Sequence, residues 1–112
     1  MRLAIIGSRQ IKVDLEEYID GSVKEIVSGG AKGVDECAAI YATKNGIRLT
    51  EFLPEYEKYG RGAPIVRNRA IVDYADGVLA FWDGCSRGTQ SVISYCQKAG
   101  KPCKVVLVSS GG

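Results

Sequence analysis

Five short apolar runs, each cut off by glycine, proline or a polar turn, alternate along this chain with stretches of helical spacing. That alternation constrains the fold more than any other feature, because an apolar run of four to eight residues that ends abruptly reads as a strand buried on both faces. The runs are Arg2–Ile6, Val23–Val27, Arg48–Leu53, Asp76–Trp82 and Cys103–Val108. Between the first two, Asp14-Leu-Glu-Glu17 has the form of a capping box and predicts a short helix to about Asp20-Gly21. From Gly33 to Asn45, residues Val34, Cys37, Ala38 and Tyr41 keep i, i+3, i+4, i+7 spacing, and Gly46 stands where a left-handed cap belongs. Pro54 to Ala63 has no period and reads as a loop; Pro64 opens a helix through Tyr74. Thr89 is the expected cap of a last helix carrying Val92, Tyr95, Cys96 and Ala99, stopped by Gly100 and Pro102. The prediction is a Rossmann-like three-layer α/β/α fold on a five-stranded parallel sheet, a single domain over 1–108, with 109–112 a frayed tail.

Composition narrows the chemistry. At 112 residues the chain suits one domain. It contains no histidine, which excludes a Ser-His-Asp triad, a Cys-His pair and a His-ligated zinc site within the chain. Cys37, Cys85, Cys96 and Cys103 form no C-x-x-C pair, so a structural zinc site is not expected, and Cys37 and Cys96 read as small core residues. No apolar run approaches the roughly 20 residues of a membrane helix, and Met1-Arg2 leads straight into a strand; a cytoplasmic location is the expectation. A net charge of +2 weighs against bulk electrostatic binding to nucleic acid.

In a doubly wound sheet, ligands sit outside the carboxyl ends of the strands. Here those ends carry Gly7-Ser8-Arg9, then Ser28-Gly29-Gly30-Ala31-Lys32-Gly33, then Asp83-Gly84-Cys85-Ser86-Arg87-Gly88-Thr89. Each combines glycine, a hydroxyl and a cation, as a phosphate loop at a helix N-terminus does. Neither G-x-G-x-x-G nor G-x-x-x-x-G-K-[ST] is present, and any one of these loops alone is equally a tight β–α turn. Convergence of all three on one edge is the stronger observation. Arg67-Asn68-Arg69 is placed by the same reading in the first turn of its helix, where the dipole disfavours cations, and so points to an anionic ligand; solvation or pairing with Asp73 is the alternative. Asp35 and Asp83 have the chemistry to accept from a ribose hydroxyl or to hold Mg²⁺ through a phosphate, and dipole compensation is the plain alternative for Asp35. No resident cofactor or metal site is identified.

Taken together in this order, Gly7-Ser8-Arg9, the Ser28-to-Asp35 segment, Tyr59-Gly60, Arg67-Asn68-Arg69, Ala75-Asp76 and the Phe81-to-Thr89 segment resemble the YspA/YpsA-related branch of the SLOG superfamily. The resemblance runs from the first strand to the last helix. It implies a Rossmann-like fold that binds a nucleotide or nucleotide-derived ligand at its glycine-rich loops, a sensor of such a ligand being one form of that role. The superfamily's phosphoribohydrolases carry G-G-x-G-T-x-x-E with a catalytic Glu; in this chain Gly88-Thr89 is followed by Gln90, Ser91 and Val92, so Val92 stands at the Glu position. A hydrolase cleaving the N-glycosidic bond of a nucleoside monophosphate is the alternative, with Asp35 or Asp83 in place of that Glu. Single-stranded DNA binding is a second alternative. Tyr18, Tyr41, Tyr74 and Tyr95 fall on expected helices, and together with the resemblance they predict a homodimer through helix faces, the ligand sites near but outside the contact.

Overall fold

The structure, a computed structural model, describes residues 1–108; the expected tail at 109–112 lies outside the described residues. Five parallel strands, β1 (Arg2–Gly7), β2 (Glu25–Ser28), β3 (Arg48–Glu51), β4 (Gly77–Trp82) and β5 (Cys103–Leu107), lie in the order β3-β2-β1-β4-β5. The helices are α1 (Val34–Lys44), α2 (Tyr56–Tyr59), α3 (Ala63–Tyr74) and α4 (Arg87–Ala99). This is the three-layer Rossmann-like α/β fold on an all-parallel sheet that the strand alternation predicts.

Alternate residues of β1 serve opposite faces, as the pleat requires. Leu3 and Ile5 join Ile26, Leu79 and Phe81 under Val34 and Ala38 of α1, together with Ile11, Leu15 and Ile19. Ala4 and Ile6 join Val27 and Val78 under Ile71 and Val72 of α3 and Val92 and Cys96 of α4. Both faces of β1, β2 and β4 are thus dry, whereas β3 and β5 are edge strands and half exposed. Cys96 is fully buried in that second layer and Cys37 is half-buried.

Several boundaries depart from the sequence reading, among them the end of the third strand, at Glu51 rather than Leu53. The helix expected from Asp14 is a single 3-10 turn, Leu15–Glu17. Asp14 caps it through the Glu16 amide, the Leu15 carbonyl takes both the Tyr18 and Ile19 amides, and Asp20 then accepts from the Ser22 amide, so local bonds close a turn rather than propagate a helix. The second strand starts at Glu25 rather than Val23, because the Val23 and Lys24 amides go to the carbonyls of Asp20 and Met1. Residues 54–63 contain α2 and a 3-10 turn, Gly60–Gly62; α2 buries no side chain and therefore has no apolar period to read. Finally, Ser86 rather than Thr89 is the N-cap residue of α4, since Asp83 Oδ1 accepts from the Cys85 and Ser86 amides and sets Ser86 extended (φ −60°, ψ 121°).

Among the described residues no helix is long and apolar enough to cross a membrane.

Candidate functional site

The chain runs outward from β1 through β2 to β3, then returns to the other side of β1 for β4 and β5. The loops after β1 and β4 therefore diverge, and a crevice opens between them at the carboxyl edge. It is a cleft of about 520 Å³. Gly7 at the end of β1 and Ser8 and Arg9 just after it line the cleft; Gly29 and Asp35 come from the β2–α1 unit; Arg67 and Asn68 come from α3; Asp83, Ser86, Gly88 and Thr89 come from the β4–α4 unit.

Six residues expected in the site lie elsewhere. Ser28 is fully buried behind the cleft, and its hydroxyl accepts from the Gly30 amide at 3.3 Å. Gly30, Lys32 and Gly33 shape the loop without lining the cleft. Arg69 and Arg87 border a different hollow, between α3 and α4, with Ser94, Tyr95 and Lys98, and the Arg69 guanidinium lies 5.5 Å from the Tyr95 ring centre. The dipole argument for Arg67 and Arg69 also fails. α3 begins at Ala63, so they are its fifth and seventh residues, beyond the first turn where the dipole acts.

Arg67 is in the cleft wall, and its Nε and Nη1 are engaged within the protein. Its Nη1 donates to the Gly29 carbonyl at 2.8 Å and to the Phe52 carbonyl at 3.3 Å, and its Nε to Asn68 Oδ1 at 2.8 Å. It ties the β2 loop to the end of β3. Burial lowers its pKa, with Asp35 acting in the opposite sense and the nearby Arg9 adding to the lowering. Two cations thus face this wall of the cleft.

The two carboxylates are shifted in opposite directions. Burial raises the pKa of Asp35, against the Ala31 amide, which donates to its Oδ2 at 3.1 Å, and the Arg67 charge. The Cys85 and Ser86 amides, 2.8 and 2.7 Å from Asp83 Oδ1, hold Asp83 below the ordinary carboxylate range. Among the described residues no group of three acidic or sulfur side chains converges as a metal site.

Ser8 is the most informative residue here. It is 8% exposed, and its Oγ alone among the buried side-chain oxygens and nitrogens of the described residues has no hydrogen-bond partner. It stands near Asp83, adding slightly to the lowering of that carboxyl, but outside hydrogen-bond geometry. A buried hydroxyl without a partner costs about 1–3 kcal/mol. The first turn of α4 is similarly unanswered: it has no side-chain cap and no acid, and the Ser86 hydroxyl turns to Thr89 Oγ1 at 3.4 Å instead. Gly88 in that turn has a negative φ, and a Cβ built there meets nothing within 4 Å.

Sequence reading missed Ile6, Gln10, Ala31, Pro64 and Cys85 in the cleft lining. Gln10 and Cys85 are direct neighbours of quoted motif residues and could have been included on adjacency; Ile6 and Pro64 carry no polar signal.

No known family model matches this chain, and no solved structure does. It is similar to the "Gene 61 protein" of Mycobacterium phage D29, 37% identical over 83 residues, with 69% of this chain and 66% of the phage protein covered. The chain thus spans just under two thirds of that relative's length.

Proposed function

We propose that this chain is a SLOG-type domain that binds a nucleotide or nucleotide-derived ligand in the β1/β4 cleft, with the ligand's phosphate on the N-terminus of α4. The observation that carries the reading is the buried, unpartnered Ser8 Oγ in the same cleft as an uncapped 13-residue helix. Free first-turn amides and the positive dipole end favour an anion, and Ser8 supplies a further donor. Arg9 adds charge at the cleft edge. Gly88 leaves room for a phosphate to approach the backbone.

Opposite this anion-binding side lies Asp35, whose carboxylate takes the Ala31 amide, lies beside the Gly29 amide and keeps lone pairs for a ribose hydroxyl. A Mg²⁺ arriving on the phosphate would find Asp83 Oδ2, which is likewise without a protein donor. The hydrolase alternative would have to run through Asp35, the cleft carboxyl with the raised pKa, because Val92 is packed in the core and offers no acid or base. Incubation with nucleoside monophosphates tests that alternative by release of free base.

Native mass spectrometry of freshly purified protein tests the main reading. A co-purifying mass of nucleotide size, absent from Ser8→Ala protein, is expected. Protein that arrives bare and gains no adduct from a panel of nucleoside 5′-monophosphates contradicts it.

A further inference from the structure

Of the four tyrosines that suggested a helix-face dimer, Tyr41 is partly buried against the first core layer and the other three make specific contacts within the chain. Tyr18 packs edge-on against Phe81 at 5.1 Å, the Tyr74 hydroxyl donates to Glu25, and the Tyr95 hydroxyl donates to Asp73 at 2.9 Å. The exposed apolar surface lies elsewhere. Of the nine large apolar side chains most exposed among the described residues, five fall between positions 53 and 66: Leu53 at 64%, Tyr56 at 55%, Tyr59 at 41%, Ile65 at 49% and Val66 at 38%. Single exposed apolar residues need no explanation, but a cluster of this kind marks an interaction surface.

We infer that a second copy of this chain docks on this patch through a twofold contact. Leu53, Tyr59 and Val66 line a hollow of about 410 Å³ between the end of β3, α2 and α3, floored by Phe52, Ala63 and Ala70. Tyr56 projects from the same short helix without lining that hollow. The short helix α2 therefore supplies an exposed ring, Tyr56, and through Tyr59 part of the wall of a hollow, the two elements an isologous contact can pair.

Charge order along the segment supports the same occupant. Glu51, Glu55 and Glu57 come first, then Lys58, Arg61 and Arg67. None of them forms an ion pair; the two found among the described residues are Arg2–Asp76 and Lys44–Glu16. A twofold axis through the segment lays the acidic half of one copy on the basic half of the other, which steers association and fixes its register. Because Arg67 belongs to both the hollow and the ligand cleft, the contact borders the cleft on its α3 side.

Light scattering across a dilution series decides the matter. Wild type is expected near twice 12.0 kDa at high concentration and near 12.0 kDa when dilute. Tyr59→Glu and Glu55→Lys should each raise the dissociation constant by more than about tenfold, the second without touching an apolar side chain. Far-UV dichroism confirms that both remain folded. Leu107→Glu, on the separate apolar edge at β5 where Leu107 is 72% exposed, should leave the mass unchanged. Wild type at 12.0 kDa throughout, either patch variant keeping the wild-type mass, or dissociation by Leu107→Glu alone overturns the inference.

Discussion

The β2–α1 and β4–α4 units look alike in sequence, each a strand, a glycine-rich turn and a helix, yet their glycines are there for different reasons. In the first unit the protein itself needs them. A Cβ on Gly29 would stand 2.6 Å from Arg67 Nη1, and Gly30 has φ +70°. Gly33, at φ +74° and ψ −120°, would drive a Cβ to 2.4 Å from the Arg9 carbonyl oxygen. The start of α1 is also closed by its own acids, Asp35 taking the Ala31 amide and Glu36 the Gly33 amide at 3.0 Å. In the second unit Gly84 is likewise set by its backbone, at φ +84°, but nothing in the protein fills the space above Gly88, and no side chain caps α4. A glycine-rich turn is evidence for a ligand only where the fold does not already demand the glycine.

Substitutions can break that comparison, and the largest effect belongs to the closed unit. Gly33→Ala should cost about 3 kcal/mol or more, from a backbone region open only to glycine and from overpacking against backbone that cannot move aside. A denaturation midpoint like that of wild type would show that Gly33 is not required by the fold. Arg67→Ala comes next, at about 2 kcal/mol, because the Gly29 and Phe52 carbonyls lose a charged donor. The loss is expected in urea melts, with or without ligand.

The cleft carboxylates sharpen the contrast through pH. Asp35 has a folded pKa raised by burial, so the stability linked to it is fully present below the unfolded value, about 3.9, and is lost as pH rises through the folded value. Asp35→Asn should accordingly melt higher than wild type at neutral pH, the difference closing as the solution is acidified. Asp83 runs the other way: its contribution is present above the unfolded value and disappears as pH falls through its depressed one. Asp83→Asn should therefore lose most at neutral pH and least in acid. Thermal melts across pH check both signs. The smallest effect is Gly88→Ala, which should stabilise the protein by about 0.5–1 kcal/mol, since helical glycine gains from a methyl group that meets no obstacle.

Much of this architecture is legible in the sequence alone. The strands are readable because burial on both faces writes them as unbroken apolar runs, and α1 and α4 because each presents one apolar stripe. What could not be read depends on side-chain bonds across the chain. Nothing in Arg67-Asn68-Arg69 says that Arg67 braces two carbonyls while Arg69 turns to Tyr95 in another hollow. The N-cap of α4 moved from Thr89 to Ser86 because of Asp83, two hydrogen bonds that composition does not reveal. The helix α2 left no apolar signature because its apolar side chains face out, and those same side chains form the proposed contact surface.

The central claim is that the open N-terminus of α4 receives a phosphate. Titration calorimetry of wild type and Gly88→Val with nucleoside 5′-monophosphates and with ribose 5-phosphate tests it most directly. The account predicts saturable binding by wild type and loss of that binding in Gly88→Val, whose dichroism and melting stay close to wild type. Equal affinity in the two proteins, or no heat from any phosphate-bearing ligand with wild type, would contradict it.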